Sequence, residues 1–171
     1  MFSQELHIPK ERVAVAIGKR GSIRKSIEKL THTKLVIGKE GDVAISSEDN
    51  LEVFLTASII KAIGRGFNPK IAMMLWSENN HLEVVSIKEI VGDSEKKIIR
   101  TRARLIGSEG RARKSLEGMT NTHISIYGKT VAIIGKHEDV HVAKQAVEKL
   151  IRGSKHGNVY KYVEKQMSRS Y

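Results

Sequence analysis

Ile17-Gly18-Lys19-Arg20-Gly21-Ser22-Ile23-Arg24-Lys25-Ser26 decides how this chain is read, because the pattern returns at Ile106-Gly107-Ser108-Glu109-Gly110-Arg111-Ala112-Arg113-Lys114-Ser115. The spacing of the two copies is 89 residues, from Gly18 to Gly107, and the register holds downstream. Glu28 matches Glu117, Thr31 and Thr33 match Thr120 and Thr122, and Ile37 matches Ile126. From Gly18 to Ile37 nine of twenty aligned positions are identical, where chance would supply roughly one or two. Several mismatches stay apolar, as at Ile27 and Leu116 or Leu35 and Ile124. Val43-Ala44-Ile45 is echoed by Val131-Ala132-Ile133. The chain therefore holds two copies of a unit of about 60–70 residues, a workable size for a small domain.

Outward from the glycine loops, each copy predicts the same elements. In the first, Phe2 to Ile8 reads as a strand, and Pro9 suits the first turn of a helix running to Ile17. Ile23, Ile27 and Leu30 then recur at helical spacing. Leu35 to Ile37 and Asp42 to Ser46 are strands around a turn at Gly38–Gly41. Ser47 to Asn50 offer cap chemistry for a long helix through Leu51, Phe54 and Ile59. In the second copy, Leu82 to Val91 is predicted as a strand, Glu95 to Ile106 as a helix capped by Gly92-Asp93-Ser94, and Ala112, Leu116 and Met119 as a helical face. His123 to Tyr127 and Thr130 to Ile134 form a hairpin, and Val140, Ala143, Val147 and Leu150 stripe a closing helix. The expected divisions are a first domain at 1–65, a linker with a short helix at 66–80, a second domain at 81–152, and a basic tail at 153–171 with a final helix from Val159 to Met167.

The charge balance points to a partner class. Lys and Arg number 30 against 19 Asp and Glu, a formal net charge of +11. Such an excess favours a polyanion, nucleic acid above all. The two densest basic stretches flank the two loops: seven basic and two acidic residues from Lys10 to Lys29, eight and one from Lys96 to Lys114. There is no cysteine, which excludes disulfide frameworks and thiolate metal sites. No apolar run approaches the ~20 residues of a membrane span. Neither a membrane partner nor a cofactor is expected, and a cytoplasmic location is.

Other motifs carry less. His137-Glu138-Asp139-Val140-His141 has the zinc-protease spacing, yet it opens a short closing helix, and Lys144 and Val147 stand where a longer metzincin pattern needs Gly and His. No Walker A loop or dinucleotide fingerprint is present. Aromatics are 5% of residues, which argues against stacking on an exposed aromatic sheet. Gly38-Lys39-Glu40-Gly41 repeats the Gly-x-x-Gly spacing between two predicted strands, where a hairpin turn is expected. No enzymatic activity is expected.

The order strand, helix, helix, strand, strand, helix, with the glycine loop between the first two helices, resembles the type I KH architecture. The expected fold is α+β, two such domains, each a three-stranded antiparallel sheet packed on helices. That resemblance implies a loop whose backbone lies against the sugar-phosphate chain of about four nucleotides of single-stranded RNA. Glycine suits the loop, since a Cβ would hold the strand away, and the following helix presents free N–H groups and a positive dipole end to phosphates. The expected RNA contacts are Gly18, Lys19, Arg20, Gly21, Arg24 and Lys25, and Gly107, Ser108, Gly110, Arg111, Arg113 and Lys114. Val13, Ile17, Leu35 and Ile37 in the first copy, and Leu105, Ile106, Ile124 and Ile126 in the second, are expected to line an apolar groove for bases.

A narrower resemblance follows from the Gly64-Arg65-Gly66-Phe67 junction, Leu105-Ile106-Gly107 to Gly110-Arg111, Val131 to Gly135, and His156 to Tyr160. Together these are similar to archaeal tandem KH ribosome-assembly factors, relatives of the eukaryotic partner of the Nob endonuclease. The resemblance implies binding to small-subunit ribosomal RNA near its 3′ end. It also implies protein partners: a processing endonuclease, an rRNA dimethyltransferase, or an initiation-factor subunit. In eukaryotic relatives the second unit carries RNA binding. Here both loops are intact, and the second holds the acidic Glu109, which Arg111, Arg113 and Lys114 would offset. The alternatives are a KH-based protein scaffold and a general single-stranded nucleic-acid binder.

Overall fold

A computed structural model describes residues 1–169. The chain divides into two compact units, Met1–Glu78 and Asn79–Tyr171. Each is built around a three-stranded antiparallel sheet with helices.

In the first unit β1 (Phe2–His7) is followed by a 3-10 turn (Lys10–Arg12), α1 (Val13–Ile17) and α2 (Ser22–Thr31). Then come β2 (Lys34–Ile37), β3 (Asp42–Ser47) and α3 (Asn50–Gly64). The strand order is β1-β3-β2, with Ile45 of β3 facing Gln4 on one side and Leu35 on the other. Alternation puts Leu35, Val43 and Ile45 into the core with Ile27, Val53, Ile60 and Ile63 from the helices, all buried. Asp49 caps α3 by accepting from the Leu51 N–H at 2.8 Å. Gly38–Gly41 is the expected hairpin turn, closed by the Gly38 N–H on the Asp42 carbonyl at 2.8 Å.

The segment predicted as a linker belongs to this unit as far as Glu78. Residues Pro69–Ala72 form α4, with the Asn68 side chain accepting from the Lys70 N–H, and a 3-10 turn follows at Met73–Trp76. Phe67, Ala72 and Leu75 are buried, and the turn packs on α3. The Gly66 and Asn68-Pro69 breakers look like a boundary in sequence, but the apolar residues beyond them need α3 for cover.

The second unit runs β4 (Asn80–Ser86), α5 (Ile87–Val91), α6 (Glu95–Ile106), α7 (Arg111–Thr120), β5 (His123–Tyr127), β6 (Thr130–Lys136), α8 (His137–Ile151) and α9 (His156–Arg169). Its order is β4-β6-β5. The strand predicted over Leu82–Val91 stops at Ser86, whose hydroxyl accepts from the Glu89 N–H and starts α5. A local cap here overrides the β-branched run. The core joins Val85, Ile98, Leu105, Leu116, Ile133, Val147 and Leu150. The predicted tail is part of it as well: Val159 and Val163 of α9 are buried, and Tyr162 donates to Gln145 while Lys149 Nζ lies 4.7 Å from its ring centre. Ser170 and Tyr171 of that predicted tail lie outside the described residues.

An arginine pins the end of the long helix in each unit. Arg12 donates from Nε to the Ile63 carbonyl and from Nη2 to that of Phe67, both at 2.8 Å. Arg104 donates to the carbonyls of Leu150 and Ser154. Both belong to the basic stretches counted in the sequence, and both serve the fold.

Candidate nucleic-acid interface

The two glycine loops have the same backbone. Gly18 and Gly107 both stand at φ 74°, ψ 174° and end their helices with an N–H to the carbonyl four residues back, Ala14 or Ala103, at 2.9 Å. Arg20 (φ 56°) and Glu109 (φ 54°) turn left-handed, as do Gly21 (φ 74°) and Gly110 (φ 72°). The glycine N–H at 21 and 110 bonds back to the carbonyl of 18 and 107 at 3.2 Å. Lys19, Arg20, Ser108 and Glu109 are exposed, and no side chain caps the start of α2 or α7.

The glycines of each loop serve different ends, which sequence reading did not separate. A Cβ on Gly18 would lie 2.5 Å from Ile23 Cγ1 and 2.8 Å from the Ile23 nitrogen. On Gly107 it would meet Ala112 Cβ and nitrogen, each at 2.8 Å. The first glycine is therefore demanded by the following helix, not by a ligand. The second is open: the nearest atoms are Arg24 Nη2 at 3.8 Å and Lys25 Cε at 3.9 Å for Gly21, with Lys114 Cε and Arg113 Nη2 at 3.8 and 3.9 Å for Gly110. One arginine and one lysine thus flank the open side of each second glycine.

Several repeated identities form one scaffold built twice. Arg24 pairs with Glu28 at 3.1 Å, and the same carboxylate accepts from the Leu35 N–H at 2.8 Å. Arg113 pairs with Glu117 at 2.6 Å, which accepts from the Ile124 N–H at 2.8 Å. Thr31 and Thr33 share a hydrogen bond at 2.7 Å, as do Thr120 and Thr122. The glutamate ties the helix after the loop to an edge strand of the sheet and holds the arginine beside the second glycine.

The eight groove residues divide. Val13, Leu35, Leu105 and Ile124 are buried at 8%, 2%, 1% and 5% exposure, so they are core, as the inward alternation of β2 and β5 and the inner faces of α1 and α6 require. Ile17, Ile37, Ile106 and Ile126 are half-buried. Carried through the 89-residue register, Val13 corresponds to Arg102, a position that an apolar search passes over. Lys25, Arg111 and Lys114 are exposed, and Arg111 lies 3.3 Å from Glu109 in an exposed pair.

The His-Glu-x-x-His stretch opens α8. His137, Glu138 and His141 are exposed there, and His137 meets His81 edge to face at 5.3 Å. Asp139 is buried, and desolvation lifts its carboxyl above the ordinary range, with Glu138 adding to the rise and Lys136 opposing it. Among the described residues no three His, Asp or Glu are grouped to hold a metal ion, and no helix is long and apolar enough to cross a membrane.

Both units are type I KH domains in element order, sheet topology and loop geometry. The comparisons agree: residues 81–168 match the family model described as eukaryotic type KH-domain (KH-domain type I), and residues 3–65 match that of the KH domain. The chain is 46% identical over 165 residues to a KH domain-containing protein of Methanocaldococcus jannaschii, covering 94% of this chain and 72% of that one. It is 27% identical to the RNA-binding protein pno1 of Dictyostelium discoideum, covering 92% of this chain and 68% of that protein. The structure of the a/eIF2alpha-aDim2p-rRNA complex from Pyrococcus horikoshii holds a chain matched with a TM-score of 0.91 at 43% identity, over 98% of this chain and 95% of that one. This chain belongs to the Dim2/Pno1-like branch of the KH-domain family.

Proposed function

We propose that this protein binds single-stranded RNA, small-subunit ribosomal RNA near its 3′ end, as a non-catalytic factor in ribosome assembly. One observation carries the reading: two exposed glycine loops of the same backbone, each leading into an uncapped helix start, each with an arginine and a lysine beside its open glycine. A phosphate laid on that glycine meets backbone N–H groups, the positive helix end and two cations. Bases then turn toward Ile17 and Ile37 in the first unit, and Ile106 and Ile126 in the second. Lys19 and Arg20 make the first loop the stronger phosphate ligand. In the second, Arg111 draws Glu109 to itself, leaving Arg113 and Lys114 for the strand. That a related chain has been solved with rRNA and an initiation-factor subunit supports both the RNA partner and a protein partner of that kind. A processing endonuclease and an rRNA dimethyltransferase remain part of the same proposal.

The test places two acids at each loop tip: Lys19→Asp, Arg20→Asp and Ser108→Asp, beside the native Glu109. All four positions are exposed, and Asp tolerates the left-handed turn at position 20 better than most residues. Folding, followed by circular dichroism, is expected to be unchanged, and binding of rRNA 3′-end oligonucleotides to be lost at physiological salt. A folded variant that binds like the parent would defeat the proposal.

A further inference from the structure

We propose that Arg102 is the base-reading residue of the second unit, a contact the first unit lacks. The inference rests on the RNA-binding reading above. Arg102 stands where Val13 stands in the first repeat. Each precedes by one helical turn the isoleucine that leads into the glycine loop, Ile17 or Ile106, and shares that isoleucine's flank of its helix. Val13 fills the position with an apolar side chain. Arg102 is half-buried, its Nε is shut off from water, and that Nε has no hydrogen-bond partner among the described residues. A buried N–H without an acceptor is unfavourable, because its lost hydration is not replaced. The neighbouring arginines are satisfied differently. Arg104, on the opposite flank of α6, reaches the carbonyls at the end of α8, and Arg113 holds Glu117. Arg102 is left with an unsatisfied donor, on a residue that shares a helix flank with Ile106.

A guanidinium offers parallel N–H donors in a fixed fork, whose complement is a pair of adjacent acceptors. Guanine presents such a pair at O6 and N7, and cytosine at O2 and N3. Adenine and uracil carry no two neighbouring acceptors on one edge. The second unit therefore selects a guanine or cytosine at the nucleotide beside Ile106, while the first, whose Val13 is core in that place, has no such contact.

The experiment uses the full chain with Lys19→Asp and Arg20→Asp, so that binding reports the second unit. Fluorescence anisotropy is measured with uridine hexamers carrying one central G, C or A, or none. The parent is expected to favour G or C over A and U by roughly 5- to 150-fold, and the better arm identifies the base. Arg102→Val and Arg102→Lys are both expected to erase that preference, the lysine variant keeping the parent's affinity for the all-uridine hexamer. Arg102→Val is expected to melt no lower than the parent, since it removes an unsatisfied donor. Preference retained in either variant, no preference in the parent, or a lower melting temperature for Arg102→Val would each overturn the assignment. If the parent binds none of the hexamers, the RNA-binding reading of the second unit falls as well. Binding with unaltered preference in the variants sinks the Arg102 assignment alone.

Discussion

Gly18→Ala and Gly21→Ala add the same methyl group three residues apart, and the structure sets their costs apart. At Gly18 the backbone lies at φ 74°, ψ 174°, a region essentially reserved for glycine, and an L-residue there costs about 1–3 kcal/mol. The new Cβ would also sit 2.8 Å from the Ile23 nitrogen, a backbone atom that cannot swing away. Overpacking of that kind costs about 1–3 kcal/mol. The sum is about 2–6 kcal/mol. At Gly21 the conformation is left-handed helical, about 1–2 kcal/mol for alanine, and the nearest atom to the new Cβ is 3.8 Å away, an ordinary contact. Trp76 is the sole tryptophan and lies half-buried in the first unit, so its fluorescence in urea follows that unit alone. Gly18→Ala is expected to unfold at clearly lower urea than Gly21→Ala, while Gly21→Ala keeps most of its stability and loses RNA affinity. A Gly18→Ala variant with the parent's midpoint, or one no less stable than Gly21→Ala, would refute the division of labour between the two glycines. For the same reason an acid at Gly18 or Gly107 is a poor probe of binding, because it damages the loop before it meets a phosphate.

Replacing Lys19 and Arg20 together by serine removes two phosphate contacts. The slope of log affinity against log salt should become shallower by about 1.4 for a single strand, and an unchanged slope in a salt titration would show that these side chains do not touch the backbone. Arg104→Ala strips two charge-assisted hydrogen bonds from the end of α8. A loss of about 2–4 kcal/mol is expected in thermal unfolding, with little recovery in Arg104→Lys, which lacks the fork. Asp139 is held above its ordinary range, chiefly by burial. The folded state therefore binds that proton more tightly than the unfolded state, and stability rises as pH falls through the raised value toward the ordinary one. Asp139→Asn should be more stable than the parent at neutral pH, and the gap should close on acidification. A constant gap across the pH series would contradict this.

The glycine loops, their helical flanks and most strands were legible because each is a local pattern stated twice. Duplication lifted Gly18–Gly21 and Gly107–Gly110 above Gly38–Gly41, which shares their spacing and is a hairpin turn. Repetition could not say why a residue is repeated. Arg24, Glu28, Thr31 and Thr33 recur because a carboxylate and two hydroxyls fasten helix to strand, a contact between elements that no spacing reveals. The packing of the chain beyond 65 and 153 was not legible for a related reason. Phe67, Leu75, Val159 and Val163 lie beyond breaker residues, and only the packed surfaces of α3, α7 and α8 show that they have somewhere to be buried.

By itself the sequence determined a duplicated α+β unit, the position of the two loops and a basic surface around them. These follow from nearest-neighbour spacing and formal charge, which chain order carries in full. Only the tertiary structure decided which glycine is packed and which is open, which arginines hold the fold, and that Arg102 keeps a buried donor without an acceptor. Each of those depends on what lies within a few ångströms across the fold, a distance that position along the chain does not encode.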